Sequence, residues 1–296
     1  MGRLFKAFLY KMSKDIAFRV ILIIGVGLAL LMCGLYFLID LGLGSEELGG
    51  STTKFLTGPN MLLSSFSPVD NFGLAIPINL ITFVCLEFSQ GSIRNKIISG
   101  HSKWKIYTSL FVSGLVLTFV LLFAYMGLCT LLGTIAGGFD LSKPIVSMTS
   151  ISTMLLGSTL VDAGYIWITL LLVALVYTSI VAFTIFFAAL FRTVGPCIPV
   201  VIIVLMMLSV GGSLISIVAE LLENDFLIWT VKIFNPLYAI SGGASYDLVI
   251  DEETGATNML AYYPTDVLVC GIVNNLVYSA LFFFGGAFIF SKRDIK

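Results

Sequence analysis

Long apolar runs separated by short polar stretches set the pattern of this chain. Ile16 to Ile39 contains one charge, Arg19, and Lys105 to Gly138 contains none after its first residue. About 20 residues at about 1.5 Å rise each cross a hydrocarbon layer roughly 30 Å thick. The runs predict six transmembrane helices, at about 17–39, 72–90, 106–133, 166–190, 197–222 and 266–290. A further apolar window, Phe226 to Ile240, is short and carries Lys232 and Pro236. Before the first span, Phe5, Phe8, Leu9 and Met12 follow the i, i+3, i+4, i+7 spacing, with Arg3, Lys6, Lys11 and Lys14 between them. That spacing predicts an amphipathic helix over residues 1–15, lying on the inner leaflet with its basic side chains toward anionic headgroups. The same residues also read as a topology signal, and the two readings are compatible. The fold class is therefore an all-α integral membrane protein, a single transmembrane domain over 1–296.

Composition agrees: 58% of the residues are hydrophobic and 11% charged, where soluble domains carry about a quarter charged. The net charge of −1 is uninformative, but its distribution fixes the parity. With six spans and a cytoplasmic N-terminus, all sixteen Lys and Arg residues fall inside except Lys54, Lys143 and Lys232. This is the bias of the positive-inside rule. The acidic residues lie opposite, apart from Asp15, Glu87 and Asp294. A seventh span would place the SKRDIK tail outside, so 226–240 reads as a re-entrant or interfacial element on the outer side. Irregular backbone is tolerated at such depth when buried in protein. The acidic run Asp251, Glu252, Glu253 reads as a solvated turn of the largest outer segment, 223–265. Both termini are expected on the cytoplasmic side of a membrane that the chain crosses several times.

The chemistry within the spans is sparse. Cys33, Cys85, Cys129, Cys197 and Cys270 all sit in apolar runs, are odd in number and form no CxxC pair, so they read as small hydrophobes. One histidine, His101, excludes a His-rich metal site, and no HExxH or GxxxxGK motif occurs. Nothing marks a catalytic residue, a bound cofactor or a nucleic-acid partner. The fragment Ser241 to Asp247, SGGASYD, looks superficially like an ATPase signature loop, but no Walker motif precedes it. Ion-coupled carriers place carboxylates in mid-membrane, whereas Asp40, Asp70 and Asp266 lie at span ends. The mid-span polar residues are neutral: Asn79, Thr82, Ser209, Asn274 and Asn275. They read either as interhelical hydrogen-bond formers or, for Asn79, Asn274 and Asn275, as the lining of a pathway. Pro77, Pro196, Pro199, Gly211 and Gly212 weaken the helical ladder and predict hinges or a gate, with Asn235 and Pro236 in the outer window. Gly133 and Gly137 form a GxxxG pair that predicts close helix contact.

One polar stretch stands apart. Glu87 to Tyr107, EFSQGSIRNKIISGHSKWKIY, is a basic island carrying Arg94, Lys96, Lys103 and Lys105 between two spans. Gly91 and Gly100 suit left-handed caps and bound a short helix of about two turns. Ile93 and Ile97 share its apolar face, and Arg94, Asn95 and Lys96 are expected to reach into the cytosol. Glu87 and Arg94, seven apart, would share a face if Gly91 did not break the register. Trp104 and Tyr107 suit the membrane interface.

The island, in EFSQGSIRNKIISGHSK, resembles the E…G-S-I-R-x-K…G-x-S-K segment of ABC-2-type permeases. The tail FIFSKRDIK resembles the ending of the same family, and Asn235-Pro236-Leu237-Tyr238 its outer re-entrant region. Spread over the whole chain, these elements identify it with the type V ABC exporters. The resemblance implies a permease that pairs with a second permease chain, identical or different, and with two cytoplasmic ATPase subunits that carry ATP and magnesium. It implies that Glu87, Gly91, Ser92, Ile93, Arg94, Asn95, Lys96 and Ile97 form the coupling segment, with a coupling helix from about Ser92 to Ser99. It implies a hydrophobic re-entrant pair over 223–245. Among subgroups the chain is most similar to bacterial peptide exporters and lantibiotic-immunity permeases, including those that export phenol-soluble modulins. Export of an amphipathic or hydrophobic cargo, a peptide ahead of a lipid, glycolipid or drug, is the functional expectation. An ion-coupled carrier or channel is the rival.

Overall fold

The sequence patterns translate into long helices in the computed structural model, which describes residues 2–42, 56–65, 74–141, 159–160, 163–222, 224–241, 245–250 and 257–292. Helix α1 (Gly2–Lys14) turns at Asp15 into α2 (Ile16–Gly42). A short α3 (Gly58–Ser64) precedes α4 (Ala75–Ser89) and α5 (Ser92–Ile98). Helix α6 (Lys103–Gly137) and α7 (Ala163–Phe191) follow. Next come α8 (Val194–Met206), a π-helical turn at Met207–Gly211, and α9 (Gly212–Leu221). The segment expected from sequence to be outer holds α10 (Asp225–Phe234) and α11 (Tyr238–Ser241), and α12 (Thr265–Lys292) ends the described chain.

Five of these units are long and apolar enough to cross a membrane: α2, α6, α7, the run from α8 through α9, and α12. Each matches a predicted span to within a few residues. The predicted span 72–90 appears as α4, which is shorter and passes the same test only together with α5, bent from it by 56°. Residues 66–73, which would extend α4 at its other end, lie outside the described residues. So do the acidic run 251–253 and the tail after Lys292.

Helix α7 is the hub. Its 29 residues carry no charge, and Val173, Val176, Tyr177, Val181 and Ile185 are buried on several of its faces. An apolar helix without a polar side belongs in the middle of a bundle. Helix α12 packs along it, and α4 packs against α7 and α8. By contrast α2, α8–α9 and α12 keep broad apolar faces open, among them Leu30, Ile203 and Phe284. Lipid tails are as apolar as leucine, so association here relies on close packing more than on burial. Small residues provide it. A side chain at Gly137 would collide with the Leu56 carbonyl, and one at Gly133 would meet the Thr57 carbonyl at 2.6 Å. The GxxxG pair thus makes its close contact, with the segment that leads into α3.

Two features differ from the sequence expectation. The all-α reading omitted a small sheet of order β1–β3–β2, formed by β1 (Thr159–Leu160), β2 (Ser245–Ile250) and β3 (Thr257–Tyr262). Strands β2 and β3 pair antiparallel, Ser245 opposite Tyr262, and β1 joins β3 in parallel. The N-terminal helix also does more than rest on a bilayer surface. Leu4, Phe8 and Met12 are buried, and Phe8 meets Phe83 of α4 edge-on at 6.5 Å. Its apolar stripe packs against α6, α2 and α4 rather than on lipid alone.

Candidate functional site

The basic island folds as its glycines require. Gly91 adopts φ 65° and Gly100 φ 89°, backbone positions that a side chain disfavours. The Gln90 and Gly91 amides close α4 on Leu86 and Phe88, and the Ser99 and Gly100 amides close α5 on Asn95 and Ile97. The result is a two-turn helix set at 56° to the span before it. Ile93 is fully buried and Ile97 half-buried, while Arg94, Asn95, Ile98 and Ser99 are exposed. Helix α5 therefore has an anchored apolar side and an open tip. Ile98 belongs to that tip and was not singled out from sequence; it is an apolar residue 73% exposed among the described residues.

Lys96 corrects the sequence reading. It does not extend into the cytosol but folds back, its Nζ 2.8 Å from Oε2 of Glu87 and 3.3 Å from the centroid of the Phe8 ring. Lys11 pairs with the other oxygen of Glu87 and donates to Oε1 of Gln90 at 3.1 Å. Glu87 is buried (1% exposed) and carries two cations, one from α1 and one from α5. Burial, against the opposing pull of Glu87, draws the Lys96 ammonium below its ordinary range. The suspected Glu87–Arg94 pair does not form. The 56° bend turns Arg94 outward and brings Lys96, two residues on, over the carboxylate.

Neighbouring aromatics complete this end of the bundle. Trp104 is partly exposed and stacks at 6.3 Å on Phe284, as suits an interface residue. Tyr107 does not occupy the interface; it is buried between Phe283 and Phe290, beneath Gly286. Lys103 donates to the Ser291 carbonyl at 3.0 Å near the C-terminal end of α12, where a cation is favoured.

The hinge and pathway candidates divide. Pro77 is buried in the first turn of α4, where its missing N–H costs little. Pro196 and Pro199 lie in α8, both exposed, and the ladder widens to the π turn one helical segment later, ending at Gly211. Asn235 Nδ2 donates to the Leu208 carbonyl in that turn at 2.9 Å, and Gly212 leaves the room for it. Pro236 has no N–H for the Lys232 carbonyl four residues back. Asn274 supplies one at 2.6 Å. Asn275 is fully buried, accepts from Ser179 at 2.8 Å and donates to the Pro236 carbonyl at 3.0 Å. Tyr278 donates to the Phe234 carbonyl at 2.9 Å, and Lys232 pairs with Asp266. Asn274 and Asn275 are thus engaged in holding the outer segment onto α12. Asn79 is buried, and its Nδ2 has no hydrogen-bond partner among the described residues. Cys85 of α4 and Cys197 of α8 are both buried and neighbour each other. The described residues hold no cluster of metal-ligating side chains. Comparison with protein-family models, with curated proteins and with solved structures returned no match.

Proposed function

We propose that this chain is the permease half of an ATP-driven exporter, crossing the bacterial plasma membrane six times with both termini in the cytoplasm. Helix α4 is then the second crossing, and α5 the element that receives force from a separate cytoplasmic ATPase. One observation carries the reading. Helix α5 is tied to α1 and α4 through Glu87, yet it presents Arg94, Asn95 and Ile98 outward, with no partner on them among the described residues. A rigidly mounted, exposed tip transmits movement, whereas a floppy loop would absorb it. ATP closure of two ATPase subunits would displace the α5 tips of two permease chains. Helix α4 would move with α5 and, through its contact with α8, shift the fifth crossing at its π turn. The cargo we favour is an amphipathic peptide, because the open faces of the bundle are apolar and the described spans carry no mid-membrane carboxylate.

The test pairs the chain with a soluble ATPase subunit bearing a Walker A loop and encoded beside it. In proteoliposomes, ATP hydrolysis should rise when the permease is present and rise further with amphipathic helical peptides. Arg94→Glu combined with Ile98→Asp should abolish that stimulation while membrane insertion and thermal stability hold, since both side chains are exposed. Full stimulation in the double variant would remove α5 from the coupling role. Transport that continues without the ATPase would favour a carrier or channel instead.

A further inference from the structure

A cavity of about 310 Å³ opens in the elbow where α1 turns into α2, facing the cytoplasmic end of α4. Binding sites for small ligands begin at about this size. On one side lie Lys14, Asp15 and Ile16; on the other, Phe83, Leu86 and Glu87. The charge of Glu87 is already met by Lys11 and Lys96. Lys14 and Asp15 are different. Neither forms an ion pair among the described residues, and the nearest recorded partner of the Lys14 ammonium is the Tyr10 ring at 5.9 Å. Among the described residues, one unpaired cation thus stands next to one unpaired anion at the mouth of a cavity whose other walls are the apolar Ile16, Phe83 and Leu86 and the mutually engaged Lys11, Glu87 and Gln90. Ile16, 74% exposed, begins the first crossing, so the site lies at the depth where headgroups meet acyl chains.

We propose that this elbow binds an inner-leaflet phospholipid whose headgroup carries a primary ammonium beside its phosphate, as in an ethanolamine phosphodiester. The phosphate pairs with Lys14. The ammonium, a few bonds away, donates to Asp15. The glycerol and acyl chains run past Ile16, Phe83 and Leu86 into the bilayer. A glycerol or free-phosphate ligand would satisfy Lys14 but set its negative charge against Asp15. A choline headgroup has the charge but no N–H to donate. Because α1 also holds Glu87 through Lys11, the lipid would brace the same elbow that supports α5. The site rests on membrane insertion of α2 and on the cytoplasmic placement of α1 that the charge bias predicts, and it does not depend on the exporter reading.

Native mass spectrometry of the full chain in detergent micelles, titrated with ethanolamine, glycerol and choline phospholipids of matched acyl chains, tests this. The ethanolamine lipid should bind about fivefold tighter than the other two, the scale of one partly exposed ion pair. Asp15→Asn, which keeps the shape of the side chain and removes its charge, should erase that preference, and Lys14→Gln should weaken all phospholipids alike. Equal affinities in the wild type, or a preference that survives Asp15→Asn, would overturn the proposal. Displacement of the lipid by millimolar free phosphoethanolamine would overturn its lipid source, because the acyl chains would then contribute nothing.

Discussion

Glu87 is the residue on which the end of the bundle formed by α1 and α5 depends. A buried carboxylate is tolerated when cations meet both oxygens, and removing it strands a mostly buried Lys96. Glu87→Ala should therefore lower stability by about 3 kcal/mol or more. Lys11→Ala removes a half-exposed partner and should cost below about 1 kcal/mol. Thermal unfolding of the two variants in detergent ranks them, and equal, small losses would mean that the carboxylate is solvated. Sequence pointed to Glu87 and left a pair with Arg94 open, because residues seven apart align on an unbroken helix. Gly91 at φ 65° breaks it. The ring that receives Lys96 belongs to Phe8, far off in the chain, so no local spacing could announce it. Tyr107 escaped for a related reason: an aromatic near a span end looks interfacial until Gly286 on another helix makes room to bury it.

At the scale of elements, the outer segment is held by side chains doing the work of missing backbone donors. Asn274 serves a carbonyl that Pro236 leaves unserved, and Asn235 reaches into the π turn. Gly212→Ala would drive a methyl group into Asn235, whereas a side chain at Gly211 meets nothing within 4 Å. Amide exchange over 225–241 should thus quicken about tenfold or more in Gly212→Ala, by loss of a bond worth about 1–1.5 kcal/mol together with the clash. Gly211→Ala should leave it unchanged, and equal effects would dissolve the link between Asn235 and the π turn. The sequence marked both glycines as one hinge; only the partner helix tells them apart. A second test uses native thiols. If α4 and α8 move against each other in transport, a membrane-permeant oxidant that links Cys85 to Cys197 should stop it, and Cys85→Ala should restore it under the same oxidant. Transport that proceeds with the link formed would place the moving contact elsewhere.

For the whole molecule, run length and charge located the long helices because bilayer thickness imposes both. The outer sheet was not legible. Ser245–Ile250 and Thr257–Tyr262 are short, and the strand that joins them, Thr159–Leu160, comes from before α7. The question at this scale is which face of the membrane each end of the bundle meets, since every functional proposal about α5 requires it to be cytoplasmic. The structure supplies good reporters for that question. Tyr10 and Ile98 are exposed at one end, and Asp247 is exposed on β2 at the end where the sheet lies. In a background with all five native cysteines replaced, Asp247→Cys should react with a membrane-impermeant maleimide on intact cells. Tyr10→Cys and Ile98→Cys should react only after permeabilisation. The positive-inside bias predicts this parity because Lys6, Lys11, Lys14, Arg94 and Lys103 all gather at the α1–α5 end. The reverse pattern would put α5 outside the cell, out of reach of any ATPase, and the exporter reading would fall with it.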